Sequence, residues 1–291
     1  GVLLAAGGFA RDGAFRRLHQ PAGDEWSSAG RGDTGDLVKL GIGLGADTAL
    51  MDDAWWGPAF VSPEGARQFS VWERSMPGAI IVDQSGERFV NESASYVDVG
   101  HAILERDRLT PAIPSWLIMD ARHRRRYAFG AFPPGRTPKA AIGSGFVVKA
   151  GSIAALAAAT GIDGDGLRRT IDRFNGFART GVDEDFRRGS NVYDTYYGDP
   201  RVRPNPNLGP IGNAPFWAVK VFPGDLGTKG GLVTDVDGRV LRPDGSAIGG
   251  LYAAGNTTAT VMGRTYPGPG GTLGPALVFA YRAARAMAET G

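Results

Sequence analysis

The chain has 291 residues, of which 45 are glycine, 42% are hydrophobic and 21% are charged, a balance that excludes disordered and collagen-like proteins and predicts a sizeable core. Lys and Arg number 32 and Asp and Glu number 30, so a nucleic-acid partner held by its phosphates is not expected. With no cysteine and three histidines, disulfides, iron–sulfur clusters and a cysteine nucleophile are excluded, and no metal site is expected.

The chain contains no signal for the membrane or for export. No apolar run approaches the ~18 residues needed to span a bilayer, and the first residues lack the basic region of a signal peptide. We expect a cytoplasmic protein without a transmembrane segment, with peripheral association at a membrane left open. Because the sequence opens with Gly1 inside a strand-like run, we also expect a piece of a longer protein or one of two chains.

The first elements favour an α/β arrangement. Residues 2–6 predict a buried strand that ends at Gly7 and Gly8, which is typical of a parallel strand whose carboxyl end meets a ligand. Residues 37–46 predict a helix. Residues 41–46 within it match the dinucleotide-binding fingerprint in form, but that fingerprint acts in a turn after a strand, so we assign these glycines to packing.

The middle of the chain predicts a second, α+β domain, because Pro-rich turns separate short strands and helices. Residues 79–90 predict a hairpin, and residues 153–160 and 166–180 predict two helices. The basic run at residues 122–126 predicts a solvated face. Clustered aromatic residues usually bury area, which predicts packing in the core or at a domain interface for Tyr193, Tyr196 and Tyr197.

The last third returns to strands and turns. Residues 231–235 and 238–241 predict two strands around a turn, residues 250–255 predict a strand that ends on glycine, and a helix is expected from about Gly274 to Glu289. Residues 263–276 contain five glycines and three prolines just before that helix. The free N–H groups of a helix start can stabilise a phosphate, an enolate or a reduced flavin; the alternative is a plain tight loop.

One motif points to a particular protein family. Residues 266–270, Tyr-Pro-Gly-Pro-Gly, together with residues 255–259 and 261–263, resemble the 3-ketosteroid 1-dehydrogenases, FAD flavoproteins of the fumarate-reductase-like group. Further segments that look like family landmarks are Gly7-Gly8-Phe9, Gly35-Asp36, 86–93, 193–200 and 204–208. The resemblance implies an α/β fold: the carboxyl-terminal part of a Rossmann-like FAD-binding domain, at 1–55 and 222–291, with an inserted α+β catalytic domain at 56–221.

The resemblance also implies the chemistry. In the family, FAD accepts a hydride from C1 of a 3-ketosteroid while a tyrosine removes a proton from C2. Carried over by motif, Tyr266 and the backbone of Gly270 hold the C3 carbonyl, and Tyr96 accepts the proton. A strand-end tyrosine bonded to backbone is the alternative for Tyr96. The residues expected to contact the flavin are Gly7, Gly8, Gly255, Asn256, Gly271, Leu273, Gly274, Ala276 and Leu277.

The sequence departs from the family in one respect. The family's glycine-rich fingerprint for the ADP part of FAD and a further active-site tyrosine lie in an amino-terminal portion that this chain does not contain. We therefore expect an amino-terminal FAD-binding segment or a partner chain to complete the site, and an unidentified electron acceptor to reoxidise the flavin.

Other functions remain open at this point. They are a related flavoenzyme, namely an enoate reductase or a 4-ene-forming ketosteroid dehydrogenase, or a non-catalytic flavoprotein relative. A dicarboxylate reductase would need clustered Arg and His, and Arg264 is the one Arg in the glycine-rich segment. The aromatic character around Trp55, Trp56, Phe60 and Trp116 suits a flat apolar substrate better.

Overall fold

The computed structural model describes residues 1–290. They divide into two compact units: residues 1–56 together with the chain from Gly224 onward form the first, and Gly57–Pro223 form the second. The helices are α1 Gly13–His19, α2 Asp36–Gly43, α3 Tyr96–Asp107, α4 Ala121–Arg126, α5 Lys139–Gly143, α6 Ile153–Thr160, α7 Gly164–Thr180, α8 Val192–Tyr196 and α9 Leu273–Thr290. The strands are β1 Val2–Leu4, β2 Thr48–Ala49, β3 Ala54–Val61, β4 Arg67–Phe69, β5 Ala79–Val82, β6 Ser115–Met119, β7 Val148–Ala150, β8 Phe216–Thr228, β9 Gly231–Leu232, β10 Arg239–Leu241 and β11 Ala247–Ala253.

The first unit contains a three-stranded sheet in the order β1-β11-β10 and a β2-β9 ladder. Strands β1 and β11 run parallel, with Val2 opposite Leu251 and Leu4 opposite Ala253. Strand β10 pairs antiparallel with β11 on its other side. The strands expected at residues 2–6 and 250–255 are therefore confirmed, and they are neighbours in one sheet. The core of this unit consists of Leu4, Phe9, Val38, Leu232, Val240, Leu251 and Ala253.

Helix α2 packs against β9 through a glycine. A Cβ built at Gly41 would lie 2.5 Å from Cδ1 of Leu232, which is closer than real Cβ atoms approach other atoms. An added side chain at position 41 would force the Leu232 side chain, which is buried, to shift. This supports the assignment to packing for Gly41, whereas a Cβ at Gly43 would meet no atom within 4 Å and Gly45 has a φ of +84°.

The second unit is built on a sheet in the order β4-β3-β8-β6-β5, with β7 also paired to β8. Strands β3 and β8 also contain the points at which the chain passes between the units, after Trp56 and after Pro223. Because side chains alternate along a strand, Ile80 and Val82 face the cluster that contains α6 and α7 residues, and Ala79 and Ile81 face the cluster that contains α3 residues. Both faces of the sheet are thus covered.

The two helices expected in the middle of the chain are confirmed as α6 and α7. The Asp163 side chain caps α7 by accepting the N–H groups of Asp165 and Gly166. The hairpin expected at residues 79–90 is present only in part. Its first half is β5, which pairs with β6, and its second half contributes a single bridge between Val82 and Arg88.

A buried ion network lies in the second unit, between the segment before α3 and the segment after α7. The Arg88 guanidinium contacts Glu92 at 2.8 Å and Asp183 at 2.9 Å, and Arg188 contacts Glu92 at 3.0 Å. Burial alone would raise the pKa of Glu92, but the ion pairs with Arg88 and Arg188 outweigh burial and hold that pKa below its ordinary value. Glu92 is therefore ionised in the folded protein.

The basic run at residues 122–126 forms α4, and the prediction of a solvated face is wrong for its central residues. His123 and Arg124 are 1% and 3% exposed. Arg124 donates from Nη1 to the Tyr127 carbonyl at 2.8 Å, and backbone carbonyls thus replace water around the guanidinium. Burial lowers the pKa of His123 to about 3, so this imidazole is neutral.

Two expectations about aromatic residues also need correction. Tyr196 is 74% exposed and stacks edge-on against Tyr197 at 4.8 Å, because the short helix α8 turns this side chain outward; it does not pack in the core. The aromatic residues expected to suit a flat apolar substrate are core residues, each less than 5% exposed, namely Trp55, Trp56, Phe60 and Trp116.

Within residues 1–290, none of the helices is long and apolar enough to cross a bilayer. The same residues contain no group of three or more His, Asp or Glu side chains arranged to hold a metal ion.

Replacing Glu92 with Gln tests the buried ion network. The change leaves Arg188 buried without its carboxylate, so we expect the free energy of unfolding to fall by about 3 to 5 kcal/mol. The carboxylate of Glu87 is 56% exposed, and Glu87→Gln is the matched control with an expected change below about 1 kcal/mol. Urea denaturation of the intact protein, with any sequence that flanks this chain, measures both, and equal losses would contradict the role of the network.

The neutral, buried His123 predicts a pH dependence of stability. The unfolded chain binds a proton at this histidine below about pH 6.5, whereas the folded protein does so only near pH 3. The unfolded state therefore binds more protons in this window, and stability falls as the pH falls through it. We expect about 2 kcal/mol to be lost from this group between pH 7 and pH 5.

Urea denaturation at the two pH values measures this loss. The variant His123→Asn should lose less stability over the same interval than the parent protein. A His123→Asn variant with the parent's full dependence would show that other groups account for it.

Candidate active site

The candidate site in the first unit starts at the carboxyl ends of β1 and β11. Because these strands are parallel neighbours, the turns that follow them meet at the same edge of the sheet. The Thr257 hydroxyl donates to the Gly7 carbonyl at 2.8 Å, and a Cβ at Gly8 would lie 3.1 Å from the Asn256 carbonyl oxygen. The structure thus brings together Gly7, Gly8, Gly255 and Asn256, four of the residues expected to contact the flavin.

Crowding explains the glycines after β1. Gly7 has a φ of +87°, and a Cβ there would lie 2.4 Å from the Asp33 carboxylate. A Cβ at Gly8 would lie 2.0 Å from Oγ1 of Thr228. Burial raises the pKa of Asp33, although the N–H groups of Gly8 and Ala10 oppose this shift. Sequence reasoning missed Asp33 and Thr228, because only the folded chain brings them beside this turn.

The start of α9 presents unpaired amides. The Gly274 N–H donates to the Gly270 carbonyl at 2.8 Å, but within residues 1–290 no oxygen accepts the N–H of Gly270, Thr272 or Leu273. The positive end of the helix dipole lies at these groups. This end of the helix can therefore donate hydrogen bonds to a carbonyl oxygen, a phosphate or an electron-rich ring.

The glycines of this loop serve its backbone conformation. Gly268 and Gly270 have φ values of +130° and +93°, which side-chain-bearing residues rarely adopt, and a Cβ at either position would meet no atom within 4 Å. Gly271 is buried, and its N–H donates to the Gly268 carbonyl at 3.1 Å. At positions 268 and 270, glycine is therefore required by the backbone conformation and not by crowding from other atoms.

A narrow cleft of about 20 Å³ lies between the turn after β11 and the first turn of α9. Gly255 and Asn256 line one side, and Pro275 and Ala276 line the other. The Ala276 Cβ lies 3.8 Å from the position of a Cβ at Gly255, so the walls approach closely there. The side chains of two further predicted contacts do not line the cleft, and they are 69% and 71% exposed, namely Leu273 and Leu277.

Trp55 connects the cleft to Tyr266. Its indole Nε1 donates to Oδ1 of Asn256 at 3.3 Å, and its ring meets the Tyr266 ring edge-on, with centroids 6.1 Å apart. Trp55 is 1% exposed, so this arrangement is held by packing on all sides. The sequence suggested Trp55 only as part of an apolar surface, and no local pattern reveals contacts that span more than 200 residues.

Arg264 is already engaged. Its Nη2 contacts both carboxylate oxygens of Asp52, at 2.8 and 2.7 Å, and its Nη1 lies 3.9 Å from Asp53. Both Arg264 and Asp52 are more than half exposed. The one arginine of the glycine-rich loop therefore fastens the loop to the segment before β3.

Tyr96 belongs to the second unit, where it is the first residue of α3 and 8% exposed. The Ser95 hydroxyl caps this helix by accepting the Asp98 N–H at 3.1 Å. The Tyr96 ring meets Phe69 edge-on at 5.1 Å, and Gly57 makes room for the pair, since a Cβ there would lie 2.3 Å from Phe69. The alternative of a strand-end tyrosine is wrong, because this position starts a helix.

The backbone before Tyr96 is held by buried arginines. Arg74 donates to the carbonyl oxygens of Glu92 and Ala94, the latter at 2.8 Å. Arg188 donates in turn to the Arg74 carbonyl at 3.0 Å. Burial lowers the pKa of Arg74 to about 10, which still leaves it cationic at neutral pH. The buried ion network thus continues into the segment that leads to Tyr96.

Two relatives of known activity are similar to almost the whole chain. The chain is 51% identical over 298 residues to the 3-oxosteroid 1-dehydrogenase of Mycolicibacterium smegmatis (strain ATCC 700084 / mc(2)155), covering 100% of this chain and 52% of that protein. It is 36% identical over 299 residues to the 4-oxocyclohex-2-ene-1-carboxylate 5-dehydrogenase of Sinomonas cyclohexanicum, covering 99% of this chain and 51% of that protein.

A solved structure is similar over the whole chain. It is the crystal structure of 3-ketosteroid delta1-dehydrogenase from Sterolibacterium denitrificans in complex with 1,4-androstadiene-3,17-dione, with a TM-score of 0.97 and 42% identity, covering 100% of this chain and 53% of that one. The chain spans about half the length of the curated relatives it matches.

These findings confirm the resemblance to the 3-ketosteroid 1-dehydrogenases and the expected α/β fold of an FAD flavoprotein. A family model described as an FAD binding domain matches residues 1–273, which is most of both units. The chain belongs to this family of FAD-binding domains.

Proposed function

We propose that the protein containing this chain is an FAD-dependent 3-ketosteroid 1-dehydrogenase, which introduces a C1–C2 double bond into a 3-ketosteroid. The observation that carries the proposal is the loop from Tyr266 to Gly270, in which a tyrosine packed on Trp55 is followed by an unpaired amide. The 51% identity to a 3-oxosteroid 1-dehydrogenase supports it.

The first unit has the features that a flavin requires. The open glycine backbone at residues 268–270 and the unpaired amides at the start of α9 admit a flat, electron-rich ring at close range. We propose that the residues holding FAD are Gly7, Gly8, Gly255, Asn256, Gly271, Leu273, Gly274, Ala276 and Leu277. FAD, when bound, supplies an acceptor for the hydride that leaves C1.

The protein's own residues would activate the steroid. A proton beside a ketone is weakly acidic, and hydrogen bonds to the ketone oxygen stabilise the enolate that forms when the proton leaves. We assign these two hydrogen bonds to the Tyr266 hydroxyl and the Gly270 N–H. Tyr96 would accept the C2 proton, and because a free phenol has a pKa of ~10, it requires a neighbour that relays or stabilises the charge.

A second candidate substrate is a smaller ring ketone that carries a carboxylate, favoured by the 36% identity to a 4-oxocyclohex-2-ene-1-carboxylate 5-dehydrogenase. A carboxylate is best recognised by a guanidinium held ready for it. Arg264, the arginine nearest in sequence to Tyr266, is bound to Asp52 instead. The same pairing weakens the alternative of a dicarboxylate reductase, and the uncharged steroid is the better proposal.

The proposal requires two further partners: a portion that completes the FAD site and an electron acceptor. The relatives are about twice as long as this chain, and α9 exposes four large apolar side chains that their remaining length would cover, namely Leu273, Leu277, Val278 and Tyr281. We propose that this portion completes the FAD site, on the same polypeptide or on a partner chain. Each desaturation removes two electrons from the steroid, so turnover also requires an electron acceptor.

The proposed function predicts a spectral change without oxygen. The intact, flavin-loaded protein is mixed anaerobically with a 3-ketosteroid that has a saturated C1–C2 bond. We expect the yellow flavin absorbance to bleach and a 1-ene-3-ketosteroid to form in equal amount, as measured by absorbance and mass spectrometry. Formation of a 4-ene product would instead indicate the 4-ene-forming dehydrogenase.

Variants separate catalysis from binding in the same assay. Tyr266→Phe should lower the bleaching rate about 100-fold while flavin content is retained, because one hydrogen bond to the developing oxyanion is lost. Tyr196→Phe is the matched control, since Tyr196 is 74% exposed, and its rate should equal that of the parent protein. A full rate in Tyr266→Phe would refute the assigned role, and no bleaching in the parent protein would favour a non-catalytic relative.

Gly270→Ala tests the backbone donor. Gly270 has a φ of +93°, and a Cβ there would meet no atom within 4 Å, so alanine strains the backbone without a steric clash. Gly245 has a φ of +80° and equally open surroundings, which makes Gly245→Ala a matched control. We expect both variants to lose about 1 kcal/mol of stability and only Gly270→Ala to lose at least about tenfold in kcat.

Thermal denaturation and steady-state kinetics with an artificial electron acceptor measure the two effects. An equal fall in kcat for both glycine variants would trace the loss to general strain and would remove Gly270 from the site.

A further inference from the structure

A buried cation lies directly after β8 in the first unit. The side chain of Lys229 is 0% exposed, and its Nζ donates to the carbonyl oxygens of Gly263 at 3.1 Å and Thr265 at 3.0 Å. Oδ2 of Asp53 lies 3.7 Å from the same nitrogen. Burial of an ammonium is unfavourable unless its donors are satisfied, so these contacts are strongly constrained.

Both carbonyl groups belong to the segment that leads into Tyr266. Thr265 immediately precedes Tyr266, and the loop that follows contains the positive-φ glycines 268 and 270. Glycine-rich backbone has high conformational freedom in the absence of anchors. Lys229 supplies an anchor from the end of a strand, and its own carbonyl accepts the Thr260 N–H at 3.0 Å.

A second route connects Lys229 to the same tyrosine. The Lys229 Nζ lies 4.7 Å from the centroid of the Trp55 ring, in the geometry of a cation–π contact. The same ring meets the Tyr266 ring edge-on, with centroids 6.1 Å apart. Lys229 therefore contacts the surroundings of Tyr266 in two ways. It binds the backbone that precedes Tyr266, and it contacts the Trp55 ring beside Tyr266.

We propose that Lys229 is a positioning residue for Tyr266: its ammonium group fixes the carbonyl groups of Gly263 and Thr265 and the Trp55 ring, and thereby places the tyrosine hydroxyl at the ketone oxygen. The inference rests on the proposed function for the role of that hydroxyl. Lysine suits the position because a compact ammonium has three donors that can point to separate oxygens, whereas the planar guanidinium of arginine is a fixed fork.

A double-mutant cycle tests the proposal in the intact, flavin-loaded protein. Lys229→Met is made in the parent protein and in Tyr266→Phe, and kcat and KM for the 3-ketosteroid are measured per bound flavin. We expect kcat to fall about 10- to 100-fold in the parent protein with KM changed by less than about threefold, because misplacement affects the transition state most.

In the Tyr266→Phe protein the same change should cost less than about threefold, since the group that Lys229 positions is already absent. Equal losses in the two proteins would overturn the proposal, because Lys229 would then act independently of Tyr266. If Lys229→Met does not fold, the same cycle is run with Lys229→Arg, which keeps the buried charge, and the same comparison decides.

A readout without substrate distinguishes this inference from the proposed function. Hydrogen exchange followed by mass spectrometry reports the amides of residues 263–271, of which Gly263, Thr265 and Gly271 donate hydrogen bonds within the loop. We expect Lys229→Met, or Lys229→Arg where the methionine variant does not fold, to speed exchange there about tenfold or more.

The matched control is Lys220→Met, which removes an exposed lysine 5.7 Å from the Trp116 ring in the second unit and should leave exchange in the loop unchanged. Unchanged exchange in the Lys229 variant would overturn the proposal. A parent protein that does not oxidise 3-ketosteroids would refute the proposed function, and the exchange measurement would still decide whether Lys229 anchors the loop.

Discussion

The parallel pairing of β1 with β11 is the constraint on which the site in the first unit depends. It joins segments about 250 residues apart and places the two glycine turns at one edge of the sheet. Side-chain volume is excluded there: a Cβ at Gly8 would collide with Thr228. A ligand that approaches this edge therefore meets backbone groups first, and the first turn of α9 adds unpaired amides to the same region.

Around that edge, polar and aromatic contacts replace the packing that a glycine-rich loop lacks. Trp55 contacts Asn256 on one side and Tyr266 on the other, so the residue proposed to hold the cofactor and the residue proposed to bind the substrate share one buried neighbour. In the second unit, arginines hold the backbone before Tyr96 in a comparable way. In both cases buried groups hold the surroundings of a tyrosine with a proposed role: Trp55 contacts the ring of Tyr266, and Arg74 binds backbone carbonyls shortly before Tyr96. Preorganisation of this kind reduces reorganisation during a reaction.

Local patterns in the sequence were sufficient for several of the elements and for the resemblance. An alanine-rich run predicted α6, helical periodicity predicted α7, and a proline after a glycine-rich loop predicted the start of α9. The position of Gly41 inside a helix led to its assignment to packing, and its close approach to Leu232 supports that assignment. The sequence could not predict contacts between distant segments. Nothing local marks Lys229 or Asp33, and the basic residue Arg124 is buried because carbonyl groups brought by folding surround it. The roles of Tyr96, Tyr266 and Gly270 and the domain assignment stay predictions.

The order of segments along the chain has a consequence for biosynthesis. The second unit, Gly57–Pro223, is one continuous stretch, whereas the first unit is assembled from residues on both sides of it. During translation β1 emerges before the second unit, whereas its partner β11 emerges only after the whole of that unit. Nonlocal strand pairing of this kind is slow, and an unpaired apolar strand is prone to aggregate. The continuous unit can therefore complete its core while β1 still awaits its partner, and that interval is where a chaperone would be most useful.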